Sequence, residues 1–384
     1  MRTANDSMVA GFDRNDGTCG RNNGNRWIDC GIRNGARSTM TSCAVMTVCA
    51  VVYGCGGGMP IETPTLVAHQ TAGPSLQLYQ GHGVYAPFTG LEPSVIAENG
   101  VVRIWYTAEN NTGAAGNYPF SGQRIAYGEI SEAEFSAGFA SGDLPAVWQD
   151  AGDCVDGLVH SEVFKGPAGE YDMLGVNLRT GAVDWWQSAT GYPGTWSLTQ
   201  AGAIRMLNEL GNVAAHWNGT AWDVLVEFQQ GGIWAVSAWS GASLGALSMV
   251  NPDAQSLGNG AAASVGDLLQ VGPQYVHITH DATVGVGNTP TGLALWTSAS
   301  AASGWTLQSW ILRTSDLVGF MGDPAQPFDS DSQLADPAVF EVNGRACVLY
   351  ETIRHELTDV PSLSVGCWPS DLPSTIKQYA GQEA

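Results

Sequence analysis

The chain contains few basic residues and few charged residues of any kind. Lys and Arg number 15 against 36 Asp and Glu, the formal net charge is −21, and charged residues make up 13% of the 384 residues. An average soluble domain contains about 25% charged residues. Binding to a nucleic-acid backbone or to an anionic membrane surface needs clustered Lys and Arg. The composition therefore argues against both partners and is typical of a soluble protein with an acidic surface.

The N-terminal region has no hydrophobic run long enough to cross a bilayer. The run from Ala44 to Val52 is too short for that and has the length of a signal-peptide core. Residues 1–39 are rich in Asn, Gly, Arg and Asp, and we interpret them as disordered or as an untranslated extension. Residues 40–58 end in VVYGCGGG, which resembles the lipidation signal of bacterial lipoproteins with Cys55 as the lipidated residue. Residues 59–74 are predicted to be a linker.

This N-terminal pattern predicts a protein that is exported by a signal peptide. A lipid anchor at Cys55 would hold it to the bacterial cell envelope, on the periplasmic side or at the cell surface, and would be its only contact with a membrane. A plain secreted protein and a cytosolic protein with an unusual N-terminus are the alternatives. We expect a monomer.

The eight cysteines are unevenly distributed, with five of them in the first 55 residues. Cys347 and Cys367 fall in consecutive predicted strands, at similar distances from the loop near Leu357. In an exported protein this placement is compatible with a cross-strand disulfide, and equally with two buried free thiols. Cys154 has no evident partner.

Glycine and tryptophan are abundant, with 49 and 14 residues, which indicates many tight turns between short, aromatic-rich strands. The segment LEPSVIAENGVVRIWYTAE, from Leu91 to Glu109, returns as ADPAVFEVNGRACVLYE, from Ala335 to Glu351. Both contain an acid followed by proline, a strand, an Asn-Gly turn and a second strand. Looser copies of this hairpin begin at His160, Gly211 and Asn259.

Each of the five copies is followed by a third strand, and three of them by a fourth strand rich in Trp or Leu. Repeated units of about four strands are the signature of a β-propeller. The sequence therefore predicts an all-β fold over residues 75–384, a five-bladed β-propeller of four-stranded antiparallel blades. A two-sheet β-sandwich is the alternative, but it would not explain the repeat.

In a propeller, each blade's first strand begins beside the central channel, and its second strand ends at that same face, which we call the mouth. Such a convergence of polar residues is the default location for a binding or catalytic site. The strand starts bring Glu92, His160, Gly211, Asn259 and Asp336 to the mouth. The strand ends bring Glu109, Arg179, Glu227, His280, Asp281 and Glu351, and nearby loops add Asp153, Asp156 and Glu162.

The acid-Pro-x-Val start, the Asn-Gly turn and the aromatic second strand resemble the five-bladed propeller glycosidases. These comprise glycoside hydrolase family 43 and its relatives among the invertases, levansucrases and mannoside phosphorylases. The resemblance implies three carboxylates around the channel: a base in the first blade, an Asp that tunes the acid in the second, and a Glu acid in the third. Hydrolysis with inversion needs an acid and a base about 6.5–9.5 Å apart.

The resemblance carries over to this chain only in part. Glu92 occupies the position of the base, as Glu where the family usually has Asp. His160 stands at the strand start of the second blade, so Glu162 or Asp156 would have to supply its carboxylate. In the third blade Glu227 is the carboxylate that ends the second strand.

We therefore predict two sets of site residues. The predicted catalytic residues are Glu92, Glu162, Asp156 and Glu227. The predicted substrate-binding residues are His160, Arg179, His280, Asp336 and Glu351. An acid before proline can also serve only to start a strand, which is the alternative for Glu92 and Asp336.

No metal site is predicted from His277 and His280, because residues three apart in a strand point to opposite faces. No cofactor is expected, although a structural Ca²⁺ ion in the channel would suit the carboxylates and carbonyls there.

Two functions are compatible with these features. One is a glycoside hydrolase-like protein that uses channel carboxylates for general acid–base hydrolysis of a glycan. The other is a non-catalytic propeller lipoprotein that binds a carbohydrate or a protein at the cell surface.

Overall fold

The computed structural model describes residues 76–79, 90–108, 123–144, 151–231, 233–255, 262–282, 290–313, 333–353 and 362–381. The predictions for residues 1–39, 40–58 and 59–74, including lipidation at Cys55, lie outside these residues. No helix in the described ranges is both long enough and apolar enough to cross a bilayer.

The described strands form five four-stranded antiparallel sheets arranged as a propeller, which confirms the predicted fold. Strands are numbered in chain order, and the first strand of each blade is the innermost. Blade I contains β2 (Leu91–Glu98), β3 (Val101–Ala108), β4 (Arg124–Ser131) and β5 (Asp153–Asp156). Blade II contains β6 (Leu158–Lys165), β7 (Tyr171–Asn177), β8 (Ala182–Ser188) and β9 (Ser197–Ile204). Blade III contains β10 (Leu210–Trp217), β11 (Trp222–Gln230), β12 (Ile233–Gly241) and β13 (Ser248–Gln255).

The last two blades depart slightly from this pattern. In blade IV the inner strand is divided into β14 (Ala262–Ala263) and β15 (Asp267–Val271), followed by β16 (Gln274–Ala282), β17 (Pro290–Ser298) and β18 (Thr306–Arg313). Blade V contains β19 (Gln333–Val342), β20 (Arg345–Ile353) and β21 (Ser362–Cys367). Its fourth strand is β1 (Gln77–Leu78), which pairs with β21. The ring is therefore closed by two distant parts of the chain.

The Asn-Gly turns of blades I and V have the conformation that their sequence predicts. Asn99 and Gly100 have φ angles of 54° and 79°, and Asn343 and Gly344 have φ angles of 51° and 72°. Positive φ at both central residues defines a type I′ turn, whose twist matches that of the flanking strands.

Five hydrophobic clusters lie in the described part of the chain, one at each junction between neighbouring blades. The cluster between blades I and V includes Ile104, Tyr106, Leu349 and Leu363. Each sheet thus buries both of its faces against its neighbours, and the channel remains as the space that is not filled by apolar packing.

Two α-helices in the described ranges, neither of them predicted from the sequence, accompany the blades. Helix α1 (Glu132–Ser141) connects β4 to β5, and its N-terminus is capped by reciprocal hydrogen bonds between Ser131 and Glu134. Helix α2 (Leu372–Tyr379) follows β21 and begins at the N-cap Asp371.

Cys347 and Cys367 lie directly opposite each other in β20 and β21 and form a disulfide bond. Of the two states that the sequence left open for this pair, the structure has the bridged one. The bridge lies in blade V, the blade that closes the ring.

Candidate active site

The inner strands of blades I, II and V begin with a β-bulge that carries a residue of unusual backbone conformation. The φ angles of Glu92, His160 and Asp336 are 52°, 51° and 45°. In each blade the strand register shifts at this position. Non-glycine residues in this left-handed region cost free energy, and such strain is concentrated at functional sites. A bulge also redirects the side chain, and all three of these residues line the central channel.

Blade III has a different arrangement at the start of its inner strand. Its bulge contains Gly211 and Asn212. A Cβ atom on Gly211 would lie only 2.8 Å from Oε2 of Glu227, so no larger residue fits there without displacement. In blades I, II and V, the side chain at this place comes from the first strand (Glu92, His160 and Asp336). In blade III it is the side chain of Glu227, which comes from the end of the second strand.

The channel contains a cavity of about 390 Å³ that is lined by inner-strand residues from all five blades. This volume lies within the range of small-molecule binding sites. At the mouth its walls include Glu92, His160, Asn212 and Asp336.

Glu92 and His160 form the first contact of a hydrogen-bonded network at the mouth. Oε2 of Glu92 accepts the backbone N–H of His160 at 2.6 Å and the hydroxyl of Thr107 at 2.7 Å. Oε1 of Glu92 lies 2.7 Å from Nδ1 of His160. The carboxylate is thus enclosed by three donors, whereas 32% of the His160 side chain remains exposed.

Asn212 and Asp336 continue the network across the channel. Nδ2 of Asn212 donates to Oδ1 of Asp336 at 2.6 Å, and Nδ1 of His160 lies 3.1 Å from Oδ1 of Asn212. The backbone N–H of Asn212 also donates to Oε2 of Glu227 at 3.2 Å.

His280 faces Asp336 through one ring nitrogen. Its Nδ1 lies 3.0 Å from the backbone nitrogen of Asp336 and 3.1 Å from Oδ1 of the same residue. A neutral ring can accept the backbone N–H at Nδ1, whereas a protonated ring would donate to the carboxylate instead. The protonation of His280 therefore decides which atom of Asp336 it contacts.

Two further glutamates, Glu227 and Glu351, lie behind this network, and each is only 4% exposed. Glu351 is hydrogen-bonded to the Asp336 carboxylate and to the backbone N–H of Glu92. The contacts thus return to blade I, and together they connect residues from all five blades. We call this set the polar ring: Glu92, His160, Asn212, Glu227, His280, Asp336 and Glu351.

The surroundings shift the pKa values of these groups in opposite directions. Burial opposes charge on His160, but the Glu92 carboxylate outweighs it and raises the pKa of His160 to about 9. Burial also opposes charge on Asp336, but His280 and the hydrogen bond to Glu351 lower the pKa of Asp336 to about 2. Burial, followed by the charge of Asp336, raises the pKa of Glu351 well above its ordinary value. Burial likewise raises the pKa of Glu227, although His280 partly offsets it.

Of the nine catalytic and substrate-binding residues predicted from the sequence, six meet in the polar ring and three do not. Glu162 lies deeper in the channel, where it accepts the backbone N–H of Ala215 at 2.5 Å. Asp156 is exposed on β5, the outermost strand of blade I, and Arg179 is exposed in the turn between β7 and β8. Neither Asp156 nor Arg179 lines the cavity or belongs to the polar ring.

Asn212 and Thr107 belong to the site but were not singled out in the sequence. The signal for Asn212 was its position: it follows Gly211 as Pro93 follows Glu92 and Pro337 follows Asp336. Asn259, expected as the start of the inner strand in blade IV, lies outside the described residues. That strand has its irregular segment at Ser264–Gly266.

His277 and His280 point to opposite sides of β16, as their spacing predicts. His277 is fully buried and contacts Oε1 of Gln255 through Nδ1 at 2.6 Å, away from the polar ring. Burial lowers the pKa of His277 to about 3, so it remains neutral near pH 7. The described residues contain no group of three or more His, Cys, Asp or Glu side chains placed to hold a metal ion. We therefore assign no ligands to the Ca²⁺ ion considered above.

Solved structures of glycoside hydrolases share this fold. An α-L-arabinofuranosidase from Podospora anserina, solved with cellotriose, aligns with a TM-score of 0.53 and 11% identity over 78% of this chain and 98% of its own. The catalytic domain of a family 62 α-L-arabinofuranosidase from Coprinopsis cinerea aligns with a TM-score of 0.50 and 9% identity over 78% and 98%. A chain described only as a glycoside hydrolase aligns with a TM-score of 0.54 and 10% identity over 77% and 92%.

No protein-family model and no curated protein sequence matches the chain. At such low sequence identity, the structural likeness establishes the fold alone. The resemblance to the five-bladed propeller glycosidases is confirmed at that level.

Proposed function

We propose that the protein is a glycan hydrolase in which Asp336 is the general base and Glu227 is the general acid. The observation that carries this proposal is the opposite shift of pKa within one polar ring. Asp336 is held ionised, with a pKa of about 2, while the pKa of Glu227 is raised. Carboxyl groups whose surroundings separate their pKa values are the usual acid and base of a glycosidase.

Asp336 and Glu227 are connected through Asn212, whereas Glu351 contacts Asp336 directly. Glu351 is hydrogen-bonded directly to Asp336, which leaves no room between them for a glycosidic bond and a water molecule. Glu227 and Asp336 contact different atoms of Asn212. A base and an acid must stand apart on the two sides of the scissile bond.

In this mechanism, Asp336 removes a proton from a water molecule as the water oxygen bonds to the anomeric carbon. The bond from that carbon to the leaving oxygen breaks, and Glu227 gives its proton to this oxygen. Glu351, which retains its proton, donates to Asp336 and keeps the base ionised. His160 carries a positive charge at the exposed edge of the ring and can donate to a sugar hydroxyl.

In this proposal Glu92 is a positioning residue. It has the base position that the resemblance implies, but its carboxylate already accepts from the Thr107 hydroxyl, from the His160 backbone and from the His160 ring. Its role in this proposal is to hold the His160 ring and to raise the pKa of that ring.

We further propose that the protein acts outside the cytoplasm, anchored by lipid at Cys55. The disulfide between Cys347 and Cys367 supports this, since such bonds persist in oxidising compartments. Palmitate labelling of the wild-type protein and of Cys55→Ser tests the anchor, and a wild-type protein without label would exclude it.

The test of the function is a screen of aryl-glycosides and of plant and microbial polysaccharides with the wild-type protein, Asp336→Asn and Glu227→Gln. We expect turnover by the wild type and a loss of about 100-fold or more in kcat for each variant. Asp156→Asn is the matched control, because it removes an exposed acid on the outermost strand of blade I that is not part of the polar ring, and it should keep full activity. Turnover that survives both ring substitutions would refute the assignment.

A binding protein is the second candidate. The strand starts of blades II and III carry His160 and Gly211, where the resemblance calls for carboxylates. Glycan binding by calorimetry, without turnover of any screened substrate, would favour a binder over the hydrolase.

A further inference from the structure

We infer that Asn212 is the positioning residue that fixes the separation and orientation of the two groups proposed as base and acid. The inference rests on the proposed function. It concerns a residue that is itself neither acid nor base.

Asn212 makes one contact with each of three members of the polar ring, which belong to three different blades. Its side-chain Nδ2 donates to Asp336 of blade V at 2.6 Å. Its side-chain Oδ1 lies 3.1 Å from Nδ1 of His160 in blade II. Its backbone N–H donates to Glu227 of its own blade at 3.2 Å. Displacement of Asn212 would therefore move the contacts of base and acid together.

The chemistry of an amide suits this position better than any other side chain. One neighbour is an ionised carboxylate, which needs a donor. The other is the Nδ1–H of His160, which donates to the nearer Oε1 of Glu92 and has Oδ1 of Asn212 as a second acceptor. An amide supplies both from one rigid planar group. A carboxylate in its place would repel Asp336, and an amine could not accept from His160. The two contacts also fix which amide atom is oxygen and which is nitrogen.

The backbone at Asn212 is also held in place. Asn212 follows Gly211 within the bulge of β10, and the absence of a Cβ at Gly211 lets Glu227 approach to hydrogen-bonding distance of the Asn212 N–H. The sequence Gly211-Asn212 thus provides both the close approach of the acid and the contact to the base.

The experiment compares Asn212→Ala and Asn212→Asp with the wild type and with Asn218→Ala. Asn218 is the matched control: it lies in the turn of the same hairpin and donates to Asp223 at 2.8 Å, outside the ring. We expect kcat to fall about 100-fold for Asn212→Ala with KM within a few-fold, because a misplacement of about 1 Å costs on the order of 100-fold in rate.

The pH dependence separates positioning from a general loss of structure. Asn212→Ala removes a donor to ionised Asp336, so the acidic limb of kcat/KM should move to higher pH. Asn212→Asp, which has nearly the same shape, should move it further by adding a negative charge. Unchanged kcat and an unchanged acidic limb in both variants, with normal circular dichroism, would overturn the inference.

A second readout does not depend on activity. The titration of the His160 ring, followed by NMR and assigned with His160→Gln, should shift to higher pH in Asn212→Asp, because the new carboxylate would lie next to Nδ1. If the wild type has no turnover, the proposed function fails and this titration still tests the placement of Asn212. A His160 midpoint that is the same in Asn212→Asp and the wild type would refute that placement.

Discussion

Blades I and V begin with nearly the same hairpin, yet their leading acids have different surroundings. Glu92 and Asp336 both precede proline, both have positive φ, and both start the inner strand within a bulge. The carboxylate of Glu92 is enclosed by donors from His160 and Thr107. That of Asp336 lies between Asn212, His280 and Glu351. Both acids line the cavity and are similarly exposed, at 10% and 13%, so they differ in their partners.

This difference arises at the blade junctions rather than in the hairpins. Glu92 meets the strand start of blade II, where His160 presents two nitrogen donors. Asp336 lies beside Glu351 of its own blade and receives contacts from blades III and IV. The same local motif thus yields an ion-paired support in one blade and, in the other, an ionised group beside Glu351, whose pKa is raised. The predictions below test this contrast, from the largest expected effect to the smallest.

The largest effect is expected from neutralising the two acids separately. Asp336→Asn should lower kcat about 1,000-fold, because a general base contributes on the order of 10²–10⁴-fold. Glu92→Gln should lower it only about 10-fold, through a less well held His160. Asn tolerates positive φ better than most residues, so Asp336→Asn should fold. Steady-state kinetics measure both, and a larger loss in Glu92→Gln than in Asp336→Asn would reverse our assignment.

A second contrast concerns how the two hairpins are held to their third strands. Blade V has the disulfide between Cys347 and Cys367 at the cross-strand position where, in blade I, Arg103 lies opposite Glu129. The double variant Cys347→Ser/Cys367→Ser should lose about 3 kcal/mol of unfolding free energy, as expected for a bridge that closes a loop of this length. Urea denaturation measures the loss. A wild-type urea midpoint that is the same with and without reductant would contradict this prediction.

The third prediction concerns pH and compares two blade junctions. Ser94 accepts the backbone N–H of Val163 between blades I and II, and Asp267 accepts that of Val339, at the equivalent position, between blades IV and V. Burial raises the pKa of Asp267 from 3.8 to about 6. The folded protein therefore keeps this proton to higher pH than the unfolded chain does.

As a result, Asp267 should make the unfolding free energy decrease as pH rises from about 4 to about 6, by on the order of 2–3 kcal/mol, and contribute no further change above that pH. Urea midpoints across this range should show a weaker decrease in Asp267→Asn than in the wild type. Ser94→Ala, the matched control, should retain the wild-type pH dependence. If the urea midpoint of Asp267→Asn changed with pH as steeply as that of the wild type, Asp267 would not titrate in this range.

The smallest effect is expected at the two turns, where the hairpins are alike. Gly100 and Gly344 both have positive φ and have open space around the Cβ position. Gly100→Ala and Gly344→Ala should each cost about 1 kcal/mol through backbone strain alone. Thermal unfolding should show similar losses of stability for both variants. A loss of stability in only one of them would mean that the turns are not equivalent.

Much of the fold could be predicted from the sequence because it depends on local patterns that repeat. The Asn-Gly turns, the alternation of the strands and the recurrence of the hairpin indicated five antiparallel blades. Helix α1 was missed because it interrupts blade I only once and has no α-helical counterpart in the parts of the other blades that the structure describes. The gathering of Glu227, His280 and Glu351 at the mouth could be predicted because strand direction determines which end of each hairpin faces the channel.

The sequence by itself thus determined the hairpins and their number, whereas the positive φ angles at the starts of three inner strands were found only in the structure. Only the tertiary structure decided which side chain meets which. His160 lies 68 residues from Glu92, and Asp336 lies 124 residues from Asn212, so no local pattern relates them. Closure of the ring brings the five inner strands around one axis, and the donors and charges brought there by neighbouring blades determine the surroundings of each acid.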